Sequence, residues 1–299
     1  MNTIFSNGTA RAPHTLVSAA EIAQALNISK CSIQGRLIHA LLSFVALHIL
    51  KLKKMNELYL TAAELGTAEN FLRKQVCPKN FCANALRALN ITVECSLPVN
   101  PSPPENCIYV ANHPTGACEA LLLISLLLAE GKNLKVLGNA ALVRIPELAP
   151  VLLAVDPYET ESSVRQNLRA LKLARAHLNA GGSLLAFPAG EVSSFSFRDM
   201  RITDRPWNEN IARLARSAQS SIVPVFVTGR NSTLFYVFSF FSFRLRQALF
   251  ARELFRCKNK VVSCRQGNAL PPGTSMKMAQ IKAYDLGLPG RSAANFKAQ

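Results

Sequence analysis

Long uncharged apolar runs, paired cysteines and acidic residues are what this 299-residue sequence has least of. The longest predominantly apolar run without formal charge, Leu37 to Leu50, has 14 residues and includes two histidines. A bilayer span takes about 20 residues, so no transmembrane helix is expected. Met1 to Gly35 lacks the basic start, apolar run and small-residue cleavage site of a signal peptide, so secretion is not expected either. The eight cysteines (Cys31, Cys77, Cys82, Cys95, Cys107, Cys118, Cys257 and Cys264) form no C-x-x-C pair and are spread through apolar stretches. That pattern reads as buried thiols in a reducing compartment rather than as disulfides or zinc ligands. None of the five histidines is spaced to form a ligand cluster with another, so no metal site is expected. No Gly-x-Ser-x-Gly elbow and no P-loop Gly-Lys-Ser/Thr occurs, which removes the sequence basis for a serine hydrolase or a nucleotide hydrolase. Acids number 18 against 34 Lys and Arg, a net charge of +16. Such a cationic surface suits phosphates of nucleic acid, lipid headgroups or acidic carriers. With 49% hydrophobic and 17% charged residues and a mean hydropathy of +0.15, the chain has ample material for a core.

Residues 1 to about 17 read as a frayed lead-in. From Ser18 to Leu52 the sequence suggests two or three helices, with Leu37, Leu41, Phe44, Val45 and His48 at helical spacing and Lys51, Lys53 and Lys54 closing the stretch. Helical sequence continues to about Leu89. Leu97 to Asn106 carries four prolines and is the expected division between an N-terminal helical region, 1–97, and a domain over 98–270. After it, short apolar runs alternate with longer helical patterns, which predicts an α/β fold, a mixed sheet flanked by helices. The expected strands are Ile108–Ala111, Leu134–Leu137, Leu184–Phe187, Ile222–Val227 and Val261–Arg265. Helices are expected near Ala117–Ala129, Ser162–Asn179 and Asn208–Ala218. In the second of these, Val164, Leu168, Leu171, Ala174 and Leu178 make one apolar face. Residues 271–299 read as a partly ordered C-terminal tail.

Polar, glycine-containing motifs follow three of these strands directly: Asn112-His113-Pro114-Thr115-Gly116, Pro188-Ala189-Gly190-Glu191 and Gly229-Arg230-Asn231-Ser232. In open α/β sheets the ligand crevice lies beyond the carboxyl ends of strands, so three distant motifs converge on one site. His113 is the candidate general base, since a neutral imidazole takes a hydroxyl proton near neutral pH and returns it later. Glu119 is its candidate orienting partner if His113 lies in a loop and the helix starts near Gly116. In one unbroken helix, six steps of about 100° put the two side chains on different faces. Backbone N–H groups around Gly190 or at the helix start are candidate oxyanion donors.

N-H-P-T-G-A-C-E, V-R-I-P-E-L-A-P-V-L-L-A-V-D-P, F-P-A-G-E-V-S-S and I-V-P-V-F-V-T-G-R-N-S resemble, in order and spacing, the successive blocks of the glycerolipid (lysophospholipid) acyltransferases. The resemblance is nearest to the bacterial putative-hemolysin branch, which includes ornithine-lipid acyltransferases. It covers about Ile108 to Leu270 and extends more faintly upstream to the Met55-Asn56-Glu57-Leu58 region. It implies an O-acyltransferase that moves a fatty acyl group from acyl-carrier protein or acyl-CoA to the hydroxyl of a lysolipid, of the lysophosphatidic acid or lyso-ornithine lipid class. On this resemblance His113 is the base of the family's H-x4-D block and Glu119 its acidic partner, six residues on as in that branch. Glu119 is one methylene longer than the family's aspartate, and Cys118 stands at the five-residue offset used by the wider family. Phe187, Pro188, Ala189, Gly190 and Glu191 occupy the headgroup-binding F-P-E-G-T block, without its first glutamate or following arginine. Asn112, Thr115, Gly116 and Asn231 are further candidate binding positions, and Arg144 and Arg230 are candidate anion partners through their forked donors. No cofactor is implied, because the thioester co-substrate is already activated.

Between Asn231 and Arg256 lie seven phenylalanines and a tyrosine among Arg244, Arg246, Arg252 and Arg256, with Glu253 the one acid. This stretch, like Leu37 to Lys54, reads either as core helices with solvated arginines or as a surface entering an anionic lipid headgroup layer. A lipid acceptor favours a peripheral protein on the cytoplasmic, inner face of the cell membrane. Two other readings compete: a non-catalytic lipid-binding protein of the same fold, and a DNA-binding protein using a helix-turn-helix-like pattern at 19–37. The pattern's second helix carries only Lys30 and Arg36 as cations, so nucleic acid is not the expected partner.

Overall fold

The computed structural model describes residues 52–70, 77–96, 104–156, 161–241, 246 and 249–288. The lead-in, the helix-turn-helix-like pattern at 19–37 and the apolar run at 37–50 lie outside them. Two compact units are distinguished, Met1–Leu60 and Thr61–Gln299. Of the first unit, the described part is the start of helix α1 (Leu52–Asn70), up to Leu60; the rest of that helix belongs to the second.

The second unit contains helix α2 (Pro78–Ala88), strands β1 (Thr92–Ser96) and β2 (Cys107–Ala111), helix α3 (Cys118–Ala129), strands β3 (Leu134–Asn139) and β4 (Leu152–Val155), and helix α4 (Glu161–Asn179). Strands β5 (Ser183–Ala186), β6 (Ser194–Ser196) and β7 (Arg201–Thr203), helix α5 (Asn210–Ser217) and strand β8 (Ser221–Val227) follow. Helices α6 (Thr233–Phe241) and α7 (Phe250–Arg256), strand β9 (Val261–Gln266) and helix α8 (Met276–Leu286) complete it.

Seven strands form one sheet in the order β1-β9-β8-β2-β5-β3-β4, and β6 pairs with β7 as a separate antiparallel hairpin. Every pair in the large sheet is parallel except β8 with β9. The carboxyl ends of β8, β2, β5, β3 and β4 therefore share one edge. All of β2 and β5 is buried, as is most of β8. Covered on both faces, these strands read as unbroken apolar runs rather than alternations. Ile108, Val110, Leu184, Ala186 and Ile222 point to one face, against Ala174 and Leu178 of α4, Ile211, Ala212 and Ala215 of α5, and Met276, Ala279 and Ala283 of α8. Their neighbours Tyr109, Leu185 and Val223 are equally buried towards the other face. Helix α3 packs against α2 and β3.

All five expected strands and all three expected helices are present, with ends shifted by at most two residues. The organisation around them differs in three respects. Thr92–Ser96, assigned by the sequence to the N-terminal helical region, is a strand paired in register with β9, so the proline-rich segment joins two strands of one sheet. The expected tail over 271–299 contains α8, with Met276, Ala279 and Ala283 fully buried. On α4 the core face is turned from the expected one: Val164 and Leu168 are 64% and 53% exposed, while Ser163 and Ala170 are buried beside Ala174 and Leu178. Small residues on the inner face let the helix lie close to the sheet, and hydrophobicity alone does not register that preference. Met276→Ala tests the place of α8. Loss of a fully buried side chain from the shared core should lower unfolding stability by about 2–5 kcal/mol in a denaturant titration, whereas substitution in a loose tail would leave it unchanged.

Candidate active site

Three loops meet at the edge where the parallel strands end, and each is held there by buried polar contacts. The side chain of Asn112, at the end of β2, accepts from Val227 N at 2.7 Å and donates to Val227 O at 2.9 Å. It thus extends the ladder to β8 by one side-chain rung. Next comes His113, in the loop, and α3 starts only at Cys118. Gly116 bridges them at φ +97°, and a Cβ there would lie 2.8 Å from Phe250 Cε1 and 2.9 Å from Val192 Cγ2. Both backbone geometry and space require glycine.

This arrangement brings Glu119, in the first turn of α3, back onto its own loop. His113 Nδ1 stands 2.8 Å from Glu119 Oε1, in a contact bent from the ideal hydrogen-bond line. The same oxygen accepts from Thr115 N at 2.9 Å and Gly116 N at 2.8 Å, and Oε2 accepts from the Thr115 hydroxyl. Glu119 is 1% exposed. Burial pushes its carboxyl upward, but the hydrogen bond and charge of His113 and the donors of Thr115 and Gly116 outweigh it, and the net shift is below the usual value. The imidazole stacks on Phe187, at the end of neighbouring β5, with ring centroids 4.3 Å apart and planes 27° apart.

A second buried carboxylate, which sequence reasoning passed over, grips the other side of His113. Asp204 accepts from the His113 backbone N–H with both oxygens at 3.3 Å, and also from the Ser193 hydroxyl and from Trp207 Nε1 at 3.0 Å. Its own N–H donates to the Tyr284 hydroxyl at 2.9 Å. Burial is the largest influence on Asp204 and leaves its carboxyl raised despite those donors and the His113 charge. The two carboxylates beside one histidine are thus shifted in opposite directions. The sequence signal was the single tryptophan in Asp204-Arg205-Pro206-Trp207.

Several expected binding residues have partners inside the protein. The amide of Asn112 is occupied by Val227, and Asn231 Nδ2 donates to Thr115 O at 3.4 Å. Thr115 is buried, with its N–H and hydroxyl on Glu119. The carbonyl of Pro188 accepts from Asn208 N, and Ala189 packs on the core. The carboxylate of Glu191 is held between Arg246, which is buried, and Arg205, which is 69% exposed. Glu253, fully buried on α7, accepts from Ser232 N and Oγ at 2.7 and 2.6 Å and ties α7 to the loop after β8. Gly190 turns at φ +71° and donates its N–H to Phe187 O, so neither it nor the N–H groups of Thr115 and Gly116 is left for an oxyanion. The pairings of Asn112 with Val227 and of Asn231 with Thr115 join residues more than 100 positions apart, which sequence pattern does not register.

Arg230 is exposed beside a shallow depression of about 410 Å³ lined by Phe195, Met200, Arg201, Ile202, Gly229 and Arg230. A Cβ on Gly229 would lie 2.7 Å from Thr115 Cγ2, so the depression adjoins the histidine loop. Arg144 lies exposed on the 3-10 turn after β3, on the same edge but two strands from β2, and no described contact joins it to His113. Within the Asn231–Arg256 stretch, Phe235, Tyr236, Arg246, Leu249 and Leu254 are buried, while Leu234 and Val237 are exposed. No helix among the described residues is long and apolar enough to cross a membrane.

Two curated relatives are lyso-glycine lipid O-acyltransferases. That of Phocaeicola vulgatus is 26% identical over 180 residues, 56% of this chain and 61% of the relative. That of Bacteroides thetaiotaomicron is 26% identical over 171 residues, 54% and 60% of the respective lengths. The matches thus span about three-fifths of the curated relatives. Among solved structures, the 1-acyl-sn-glycerophosphate (LPA) acyltransferase PlsC of Thermotoga maritima aligns over 84% of this chain and 98% of its own, at 15% identity and a TM-score of 0.44. The acyltransferase family model matches residues 67–283, from within α1 through most of α8, and by that match over more than two thirds of its length this chain belongs to the acyltransferase family.

Proposed function

We propose that this chain transfers a fatty acyl group from a thioester, acyl-CoA or acyl-carrier protein, to the hydroxyl of a lysolipid at the cytosolic face of a membrane. The observation that carries this reading is His113 Nδ1 on the buried, ionised Glu119, which leaves Nε2 as the nitrogen turned away from the carboxylate. In the proposed reaction Nε2 takes the acceptor's hydroxyl proton as the oxygen attacks the thioester carbonyl. The tetrahedral intermediate collapses with cleavage of the C–S bond, and the imidazolium returns the proton to the departing sulfur. Glu119 holds the tautomer and stabilises the imidazolium, as a buried carboxylate does for a catalytic histidine elsewhere. Asp204 acts through the backbone as a positioning residue. The thioester supplies the activated carbonyl, so the reaction calls for no cofactor. The similarity to lyso-glycine lipid O-acyltransferases makes a lysolipid with an amino-acid headgroup the first acceptor to test, beside lysophosphatidic acid.

The direct test gives purified protein a labelled acyl donor and a panel of lysolipids. Transfer is expected to at least one acceptor, and His113→Ala should lower kcat by about 10²–10⁴-fold. No transfer, or transfer untouched by that substitution, defeats the reading. Glu119→Gln preserves the shape of the site, because a Gln oxygen can keep the donors on Oε1 while its amide faces the Thr115 hydroxyl. It removes the charge, and kcat should fall at least about tenfold with the fold retained. The same variant carries a stability signature. Because the folded-state pKa of Glu119 lies below its usual 4.5, its contribution is full above that pH and is lost as pH falls through the folded value. Thermal melts should show wild type losing stability more steeply than Glu119→Gln below about pH 4.5, with Asp204 common to both. Asp204→Asn removes one of the two oxygens that accept from the His113 backbone N–H and should lower kcat with KM little changed, a split that general packing damage would not give.

A further inference from the structure

The two feet of the β6–β7 hairpin are both fastened to His113. Ser193 N donates to His113 O at 2.8 Å, the His113 N–H donates to Asp204, and the Ser193 hydroxyl donates to Asp204 as well. From this rooted base the strands run out to a turn at 197–200, where Phe197 is 70% and Met200 72% exposed. Arg198 and Arg201 are exposed beside them, and Arg230 faces the depression at the hairpin's flank. The only acid in the turn is Asp199, whose carboxylate accepts from Ser196 Oγ at 2.8 Å and so shapes the turn. Helix α6 packs beside β6 and carries exposed Leu234 and Val237.

We propose that the β6–β7 hairpin is the element by which this protein docks on an anionic lipid surface, with Phe197 and Met200 entering the headgroup layer. Large exposed apolar side chains in a turn, with exposed arginines beside them, match such a surface in both polarity and charge. Bulk water solvates the arginines but not the ring and thioether beside them. Three residues of extended chain on each side, or four residue steps, separate the turn from its root, about 13 Å at strand rise. The hairpin therefore sets the depth at which a bilayer-borne hydroxyl meets His113, and Asp204 links that depth to the base itself. The choice of a lipid surface rests on the lysolipid reading above, but its test needs no acyl donor.

Sedimentation with vesicles of equal phosphatidylglycerol and phosphatidylcholine, and with phosphatidylcholine alone, measures the docking. The wild-type chain should bind the mixed vesicles, more weakly as salt rises and at least tenfold more weakly when the anionic lipid is omitted. Phe197→Ser with Arg198→Gln alters no contact of His113 or its partners, removes the edge contact of Phe197 with Phe195 at the wall of the depression, and should weaken binding at least tenfold. Its activity on a short-chain, water-soluble acceptor should remain that of wild type. Arg198→Glu alone, a change on an exposed side chain, should cost at least fivefold on the mixed vesicles and keep the hairpin testable should the double variant fold poorly. Leu173→Ser on α4, also an exposed apolar site, should bind as wild type does. Vesicle binding unaffected by both hairpin variants overturns the proposal, as does a loss confined to binding of acidic acyl-carrier protein, which would make the hairpin a protein-docking element. Hairpin-dependent binding without acyl transfer to any acceptor would uphold the docking surface and reject the enzymatic reading.

Discussion

Glu119 is a carboxylate with almost no water to solvate it, and the site is arranged around meeting its needs. Four donors converge on it, two backbone amides, one hydroxyl and the imidazole of His113, and together they keep it ionised where burial alone would protonate it. The geometry needs a loop that folds back on the first turn of α3, and that loop in turn needs Gly116 at positive φ against Phe250 and Val192. His113 is thus oriented by the same contacts that satisfy the carboxylate. An imidazole held this way keeps one nitrogen engaged and the other available, which is the requirement for moving a proton to and fro.

Around this centre the protein repeats one device, a buried polar side chain that stitches two distant loops together. Asn112 ties β2 to β8, Asp204 ties the hairpin to His113, Glu253 ties α7 to Ser232, and Glu191 joins Arg246 to Arg205. Each such group is costly to bury unpaired, so the loops hold together or the whole edge loosens. Rigidity at the strand ends then coexists with an exposed hairpin tip and exposed arginines at the rim. The protein keeps His113 fixed while presenting exposed apolar and cationic side chains beside it.

Strands and helices of the α/β region were legible because buried parallel strands need continuous apolar residues, and that need is written locally in runs such as Ile108–Ala111 and Ile222–Val227. The candidate site was legible at His113 and Glu119, whose contact required only a loop of the right length before a helix. Much less legible was the division of labour among the other motif residues. Asn112, Thr115, Asn231 and Glu191 have the side chains of ligand-binding residues, yet each meets a partner inside the protein. Nothing local to these residues distinguishes an amide that faces a ligand from one that faces a backbone carbonyl 115 residues away.

The sequence by itself determined the alternation of strand and helix, the cationic surface and the order of the motifs, since all three depend on residue type and near-neighbour spacing. The membership of Thr92–Ser96 in the sheet, the burial of α8, the inner face of α4 and the second carboxylate at His113 were decided only by the tertiary structure. Each depends on which segment lies opposite. Strand partnership and buried charge compensation are relations between remote residues, and their energies exist only once the chain has closed on itself.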